Sequence, residues 1–288
     1  VQRESEIFLR KVDYMESRFQ VNYENTPFLQ TSKTAAHPNR LNWRAEILLN
    51  KNLKAIKGKT ILDLASHDGR FSWACLELGA SHVTGVEGRQ HLVESATENL
   101  IGLGFKPDNF TFIQGDMFDY LHKVKSEEFD TVLCFGFFYH TVRQNELLCE
   151  MKRIQATYFI LDSYVAKGAF VLLPNAIPNI AKSNSRARLR QYLSKYTIIK
   201  ESVAASLNTG KGKPCLVFRP ESHLVEAATI DPVDLVAWPT ESYIDLVFTS
   251  YGFNSRQLLW SKKEIVDWTA IEDYKAGDRV SYIGERLS

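Results

Sequence analysis

The sequence predicts an α/β fold built on a seven-stranded, mostly parallel, doubly wound sheet. Short apolar segments alternate with longer amphipathic ones, which is the pattern of parallel strands joined by helical crossovers. This alternation runs through 58–164, breaks off, and resumes near residue 240. One α/β core with an insertion before its last helix accounts for both observations.

The elements of the core follow from the apolar pattern. In chain order they are a strand at 60–65, a helix at 70–78, a strand at 82–87, a helix at 89–103, strands at 110–116 and 130–137, a helix at 144–154 and a strand at 158–164. A helix follows at 240–251, since Thr240 can cap its start and Gly252 can end it. Strands at 256–260 and 279–286 then complete the sheet.

An arm and an insertion are predicted outside this core. The expected boundaries are 1–57 for an N-terminal helical arm, 58–164 for the core, 165–238 for the insertion and 239–288 for the C-terminal completion of the sheet. The arm has amphipathic patterns at 4–20 and 41–56, and the insertion contains a predicted strand at 213–221. We expect both segments to cover a pocket with their aromatic and apolar side chains. These are Phe28, Trp43, Phe170, Leu172, Tyr192 and Trp238.

Composition indicates an ordinary soluble globular protein. The 35 basic and 34 acidic side chains nearly cancel, whereas duplex-binding proteins show a large basic excess. No run of about 18 apolar residues predicts a membrane span, and the first residues are too charged for a secretory signal. Four scattered cysteines without metal-ligand spacing favour reduced thiols, no metal site and a cytoplasmic location.

The turn after the first predicted strand, ASHDG, narrows the choice of cofactor. Nucleotide-binding loops place glycines here, but only Gly69 is present, and Ala65 and His67 occupy the earlier positions. No P-loop pattern occurs, and the dinucleotide pattern would require a glycine where Arg70 stands. The second predicted strand ends in Glu87, a carboxylate that can accept hydrogen bonds from two ribose hydroxyls. A pyrophosphate cofactor is therefore disfavoured.

Together these segments resemble the class I S-adenosylmethionine (SAM) dependent methyltransferases, which have a Rossmann-like fold. LDLASHDG aligns with the D-x-G-x-G-x-G turn of that family, IQGDMFD resembles the segment after its third strand, and FGFFYHT occupies its methyl-transfer position. The resemblance implies SAM as cofactor and S-adenosylhomocysteine (SAH) as product, with Asp116 accepting from the adenine amino group and Met117 packing on the ring. The cofactor-binding residues expected from it are Asp63, Ala65, Ser66, His67, Gly69, Glu87, Gly115, Asp116, Met117 and Phe135.

Tyr139 and His140, directly after the fourth predicted strand, are the expected catalytic pair. His140 can act as a general base near neutral pH; alternatively it caps the following helix while Tyr139 covers SAM. His67 faces either the ligand or its own turn. Substrate-binding residues are expected at Asp162, Arg44, Arg188 and Trp238, with Ser163 and Arg40 as further candidates.

Three functions are open at this point. The first is methyl transfer to oxygen or nitrogen of a small molecule in a covered pocket. The second, less favoured, is modification of tRNA or another RNA, for which the basic residues Lys182, Arg186, Arg188, Arg190 and Lys195 would form the contact surface. The third is a non-catalytic binding protein. The oligomeric state is left open.

A weaker similarity, in layout, links the chain to the tRNA wobble-uridine carboxymethyltransferases. It is carried by FYHTVRQNELLCEMKRI, FILDS and the segment around Pro239, Thr240, Gly252 and Phe253. That family uses a carboxylated SAM and modifies RNA. The similarity implies a shared plan for the insertion rather than the same reaction.

Overall fold

The computed structural model of the protein describes residues 19–32, 34, 36–166, 214–222, 233–262, 265 and 267–287. The predicted helix at 4–20 falls almost entirely outside these residues. The predictions made for Phe170, Leu172, Lys182, Arg186, Arg188, Arg190, Tyr192 and Lys195 lie outside them as well.

The helices and strands alternate along the chain as expected. They are α1 (Phe28–Thr31), α2 (Pro38–Leu48), a 3₁₀ helix (Asn50–Ala55), β1 (Thr60–Leu64), α3 (Arg70–Glu77), β2 (His82–Glu87), α4 (Gln90–Gly102), a second 3₁₀ helix (Pro107–Asn109), β3 (Phe110–Gln114), α5 (Met117–Leu121), β4 (Thr131–Phe135), α6 (Gln144–Ile154), β5 (Tyr158–Tyr164), β6 (Leu216–Ser222), β7 (Val233–Pro239), α7 (Glu241–Ser250), β8 (Phe253–Gln257), α8 (Glu272–Ala276) and β9 (Arg279–Arg286).

Seven strands form one sheet in the order β3-β2-β1-β4-β5-β9-β8, which confirms the predicted fold class. Every neighbouring pair is parallel except those of β9, which runs antiparallel to both β5 and β8. The strand order reverses direction between β1 and β4. Open α/β sheets bind ligands at such a point, in the crevice beyond the carboxyl ends of the strands.

Both faces of the sheet are covered by helices, because its strands are apolar on both sides. Ile61 and Leu133 point into a cluster with α2 and α3, whereas Leu62 and Val132 point into a second cluster with α6 and α7. All four side chains are fully buried, and each such burial stabilises the fold by about 1.5–3 kcal/mol. The two clusters hold the strand ends, and the loops that follow them, in fixed positions.

The second predicted arm helix, 41–56, is two helices in the structure. It begins early, at Pro38, because His37 Nδ1 accepts a hydrogen bond from the Asn39 amide (3.2 Å) and caps the first turn. It ends at Leu48, where the Asn52 side chain donates to the carbonyls of Ile47 and Leu48 (both 3.0 Å). These bonds replace the α-helical pattern, and a 3₁₀ helix follows.

The expected strand at 256–260 instead spans Phe253–Gln257. Gly252, at φ 86°, turns the chain out of α7, and the buried Phe253 starts the strand. The apolar run that suggested the later position is misleading, because Leu259 is 74% exposed. The sequence pattern also did not reveal α5, α8 or β7, which pairs with β6 in a separate two-stranded sheet.

Two aromatic residues expected to cover a pocket are core residues. Phe28 packs on Trp73 at 5.3 Å between ring centres, and Trp43 packs on Tyr274 at 4.4 Å. In the described part of the chain, no helix is both long and apolar enough to cross a membrane.

Candidate active site

The turn between β1 and α3 has a left-handed backbone at every second residue. Ala65 has φ 55°, His67 φ 54° and Gly69 φ 81°, so the loop keeps a glycine-type path although two glycines are absent. A side chain in this region costs about 1–2 kcal/mol, so alanine is less permissive here than glycine. At Gly69 even a methyl group would lie 3.0 Å from Phe112 and 3.1 Å from Ala96.

Glu87, at the carboxyl end of β2, holds this loop from the side of the sheet. Its Oε2 accepts a hydrogen bond from the His67 amide (3.2 Å), and its Oε1 accepts from the Arg89 amide (3.1 Å) and from Arg89 Nη1 (3.1 Å). A carboxylate has about four acceptor positions. Glu87 therefore shapes the loop and keeps capacity for a ligand hydroxyl.

Asp68 ties the loop to the N-terminal arm. Its buried Oδ2 accepts hydrogen bonds from the hydroxyls of Thr31 (2.8 Å) and Ser32 (2.6 Å), and Oδ1 lies 3.1 Å from His67 Nδ1. Burial opposes ionisation, but the His67 hydrogen bond and the charge of Arg70 outweigh it and lower the pKa of Asp68 to about 2. The ionised Asp68 thus joins the loop to α1 and the residue after it.

His67 is neutral and presents an unpaired nitrogen. Burial and the charge of Arg70 lower its pKa. Because the Asp68 carboxylate faces Nδ1, that nitrogen carries the proton and Nε2 is the acceptor. Nε2 and Ser66 Oγ are buried and find no hydrogen-bond partner within the described residues. Unpaired buried polar atoms cost about 1–3 kcal/mol each, so this loop suits a ligand that carries N–H or O–H groups.

Asp63 ends in the core beneath the loop. It is fully enclosed, Ser72 Oγ donates to its Oδ2 (2.7 Å), and burial raises its pKa to about 7. The Asp63 side chain thus bonds to the first turn of α3. A direct ligand contact for Asp63 stays a prediction.

The residues expected to bind adenine follow β3. Asp116 caps α5, because its Oδ1 accepts from the amides of Phe118 (2.7 Å) and Asp119 (3.1 Å). Its side chain is 53% exposed, so Oδ2 remains accessible. The Gly115 amide donates to the Glu87 carbonyl (3.0 Å), which keeps the predicted ribose and adenine residues adjacent.

The crevice between β1 and β4 has an aromatic floor. Phe135, the last residue of β4, is buried and meets the Phe71 ring edge-on at 5.1 Å. Arg44 lies over Phe71, with its guanidinium carbon 4.6 Å from the ring centre. Phe135 therefore packs against α3, and its contact with a cofactor stays a prediction.

His140 and Glu221 form a hydrogen-bonded pair through Nδ1 and Oε2. His140 follows β4, and Glu221 lies on β6, in the predicted insertion. Both side chains are about one-fifth exposed, at 18% each. His140 Nε2 finds no hydrogen-bond partner in the described part of the chain. This arrangement orients a histidine base, with one nitrogen held by a carboxylate and the other open.

Tyr139 belongs to a cluster of aromatic rings beside this pair. Its ring lies 4.1 Å from His140, 5.0 Å from Tyr164 and 5.7 Å from Trp238. Tyr164 and Trp238 stack at 5.4 Å. Arg279 Nη2 donates to the Tyr139 hydroxyl (3.2 Å). The structure thus brings together three of the predicted residues, Tyr139, His140 and Trp238.

Asp162 and Arg44, both predicted to bind substrate, bind each other. Arg44 Nη2 and Arg279 Nη1 lie 2.6 and 3.0 Å from Asp162 Oδ2, and the hydroxyls of Tyr274 and Ser281 donate to the same carboxylate. Burial opposes ionisation of Asp162, but the two arginine charges outweigh it and lower its pKa. This buried network joins α2 to the sheet.

Two further substrate candidates, Arg40 and Ser163, bond to other parts of the fold. Arg40 pairs with Asp273 through two bonds of 2.8 Å, and Ser163 Oγ donates to the Tyr164 carbonyl (2.8 Å). Met117, which was predicted to pack on the adenine ring rather than to bind substrate, is half-buried beside Asp116. Arg188 lies outside the described residues.

Four further residues belong to this candidate site and were not predicted from the sequence: Asp68, Glu221, Tyr164 and Arg279. Two of them had a sequence signal. Asp68 directly follows the predicted residue His67, and Tyr164 directly follows the predicted residues Asp162 and Ser163. No sequence signal links Glu221 to His140, which is 81 residues away.

Comparison with known proteins supports the resemblance. Residues 56–212, more than half of the chain, match a family described as methyltransferase domain. Among curated proteins, a candidate protein N5-glutamine methyltransferase of Methanocaldococcus jannaschii is 30% identical over 105 residues, or 32% of this chain and 52% of the relative. The chain thus spans about half the length of that curated relative.

Solved structures share the fold. The N-terminal domain of EvdMO1 with SAH bound is 16% identical with a TM-score of 0.52, over 84% of this chain and 80% of that one. A protein from Listeria monocytogenes, described as an S-adenosylmethionine dependent methyltransferase, is 12% identical with a TM-score of 0.53, over 85% and 98%. Together with the family match and the strand order, these structures lead to one conclusion: the chain belongs to the methyltransferase domain family and has the class I methyltransferase fold.

Proposed function

We propose that the chain methylates a hydroxyl or amine of a small molecule, with His140 as the general base. The observation that carries this proposal is the pair of His140 Nδ1 and the Glu221 carboxylate. The remaining nitrogen, Nε2, is open within the described residues and can take a proton from an incoming acceptor. General-base catalysis of this kind contributes about 10²–10⁴-fold to rate.

The loop after β1 fits the cofactor by its chemistry. Ser66 Oγ and His67 Nε2 are buried and unpaired in the described part of the chain, and Glu87 retains acceptor capacity. The ammonium and ribose hydroxyls of SAM are donors that suit His67 Nε2 and Glu87. When bound, SAM supplies a methyl group on a sulfonium, which is a good leaving group.

The surroundings of His140 support a small acceptor. Tyr139, Tyr164 and Trp238 form an apolar wall beside the His140 ring, and His140 itself is only partly exposed. An aromatic wall holds a planar or apolar substrate close to the base and excludes water from the reacting atoms. A partly buried base beside such a wall favours a small molecule over an RNA surface.

Transfer of label from SAM to fractionated cell extract tests the acceptor class. The extract is separated into small molecules, RNA and protein, and each fraction is incubated with the enzyme and methyl-labelled SAM. The expected result is label in the small-molecule fraction, lost with His140→Ala. Label confined to RNA, or to protein glutamine as the name of the curated relative suggests for that protein, would replace the proposal.

Calorimetric titration with SAH tests the cofactor site separately. Glu87→Ala and Asp116→Ala are expected to weaken SAH binding, by about tenfold for each lost charged hydrogen bond. Asp119→Ala is the matched control, because Asp119 is an exposed acid in the same first turn of α5. Wild-type affinity for SAH in all three variants would show that Glu87 and Asp116 are not part of the cofactor site.

A further inference from the structure

We infer that the methyl acceptor carries an anionic group, which Arg219 binds beside the His140–Glu221 pair; this inference rests on the proposed function. It concerns the two-stranded sheet of β6 and β7. Neither Arg219 nor the charge of the acceptor follows from the family to which the chain belongs.

Arg219 shares one face of this sheet with two residues of the candidate active site. In the antiparallel register Val217 lies opposite Trp238, and Arg219 opposite Val236. Alternate residues of a strand, and residues opposite each other, point to the same face. Arg219, Glu221 and Trp238 therefore face the same way.

That face is turned toward the proposed base. Glu221 contacts His140, and Trp238 contacts Tyr139 and Tyr164. Arg219 lies between Glu221 and Trp238 along this face, and alternate strand residues are about 6.5–7 Å apart. Its guanidinium is thus about one small-molecule length from the His140 ring.

The Arg219 guanidinium is held in place by an aromatic ring instead of a carboxylate. Its central carbon lies 4.4 Å from the centre of the Trp238 ring. Stacking of this kind fixes the plane of the group but uses none of its five N–H donors. Arg219 is exposed, and within the described residues it has no ion pair or hydrogen bond, whereas the buried Arg44 and Arg279 both bind Asp162.

An oriented guanidinium with open donors binds carboxylate or phosphate through two parallel hydrogen bonds. The nearby charged side chains that the structure describes do not satisfy the Arg219 guanidinium. Glu221 is engaged by His140, and Arg279 is neutralised by Asp162 and Asp273. The arrangement suits a small acid or phosphate ester whose hydroxyl or amine lies near His140 and whose anionic end reaches Arg219.

The charge of the labelled product tests this inference. Product formed from methyl-labelled SAM and the small-molecule fraction is applied to an anion exchanger at neutral pH, before and after phosphatase treatment. Retention is expected; retention lost on phosphatase treatment indicates a phosphate ester, and retention that persists indicates a carboxylate. An unretained product would overturn the inference and leave the proposed function standing. No small-molecule product at all would overturn both.

Variants of Arg219 provide a second test. The substrate is a dilution series of the unmethylated small-molecule fraction that the same anion exchanger retains. Arg219→Gln is expected to raise the half-saturating amount about 10- to 100-fold at little change in maximal rate, and Arg219→Lys less. Arg256→Gln is the matched control, because Arg256 is an exposed arginine on β8 that contacts Asn52. An unchanged half-saturating amount in Arg219→Gln would also overturn the inference.

Discussion

His140 and Glu221 are hydrogen-bonded although 81 residues separate them in the sequence. The loop after β4 brings His140 to the crevice beside β1, and β6 delivers Glu221 to the imidazole Nδ1. The contact fixes the tautomer that leaves Nε2 as the proton acceptor. Two residues of the predicted insertion, Glu221 and Trp238, thus lie beside core residues in the candidate active site.

We expect His140→Ala to lower kcat about 10²–10⁴-fold, since it removes the base. Glu221→Gln is expected to lower kcat by a similar factor, because a glutamine amide that donates to Nδ1 leaves the proton on Nε2 and removes the carboxylate that stabilises the imidazolium. Single-turnover methyl transfer measures both. SAH affinity is expected to stay unchanged, because neither side chain lies in the loop after β1.

His122→Ala is the control for this pair. His122 is about half exposed and lies 3.4 Å from Glu146, so it is also a histidine beside a carboxylate, but outside the crevice. Wild-type kcat in His140→Ala, or an equal loss in His122→Ala, would contradict the assignment of His140 as the base.

Ala65→Gly is expected to stabilise the protein by up to about 1 kcal/mol. Ala65 has φ 55°, where a Cβ is strained, and glycine removes that strain at some cost in chain entropy. The free energy of unfolding in urea measures the change. Ala74→Gly, in the middle of α3, is the control and is expected to destabilise by about 1 kcal/mol or more. A lower free energy of unfolding in Ala65→Gly would contradict the prediction that the Ala65 backbone is strained.

The positions of the strand ends could be predicted from the sequence. β2, β5 and β9 have the predicted bounds, because each contains apolar, aromatic or β-branched residues of the kind that favour strands. The carboxyl ends of parallel strands meet at one edge, so Glu87 and the residues after β4 were expected at one site. The structure places the loop after β1, Glu87 and Gly115 together.

The partners of these residues could not be predicted in the same way. Arg44 and Asp162 were chosen separately for a substrate, yet they neutralise each other in the core, 118 residues apart. Such pairings depend on how helices dock on the sheet, which leaves no local pattern. The backbone of Ala65 was also not predictable, because Glu87 and the Asp68 contacts hold it against its own preference.

Asp162→Ala is expected to destabilise the protein by about 3–5 kcal/mol at neutral pH, because it leaves Arg44 buried without its counter-charge and Arg279 with Asp273 as its remaining partner. The pKa of Asp162 is lowered in the fold. The stabilisation that ionised Asp162 gives the fold is therefore complete above its unfolded pKa of about 3.9. It is lost as the pH falls through the lower pKa that Asp162 has in the folded state. Urea unfolding measures this change. The difference in free energy of unfolding between wild type and variant should be smaller at about pH 3 than at neutral pH.

Glu285→Ala is the matched control for Asp162. Glu285 pairs with Lys54 at 2.6 Å, but both side chains are exposed, at 48% and 60%. Exposed pairs contribute less than about 1 kcal/mol. A loss in Asp162→Ala as small as in Glu285→Ala would show that the buried arginines find other partners.

Asp63 is expected to make the protein less stable as pH rises toward neutrality. Burial raises its pKa to about 7, so between the unfolded value of about 3.9 and about 7 the folded state holds a proton that the unfolded state has lost. Stability therefore falls over this window, by up to about 1.4 kcal/mol per pH unit, and levels off above it. Asp63→Asn removes the titration, so the stability of the variant relative to wild type should rise from about pH 4 to about pH 7.

Asp130→Asn is the control for Asp63→Asn. It shows whether the pH dependence of stability comes from the raised pKa of Asp63 or from replacing any aspartate by asparagine. Burial of Asp130 is outweighed by hydrogen bonds from Thr60 and the ion pair with Lys59, which lower its pKa. Its contribution thus changes only below about pH 4, and the difference between this variant and wild type should be flat from about pH 5 to pH 8. Urea unfolding across that range measures both variants. If the difference in free energy of unfolding between Asp63→Asn and wild type were also flat over this range, Asp63 would be ionised in the folded protein at neutral pH. The core beneath the loop after β1 would then carry a negative charge.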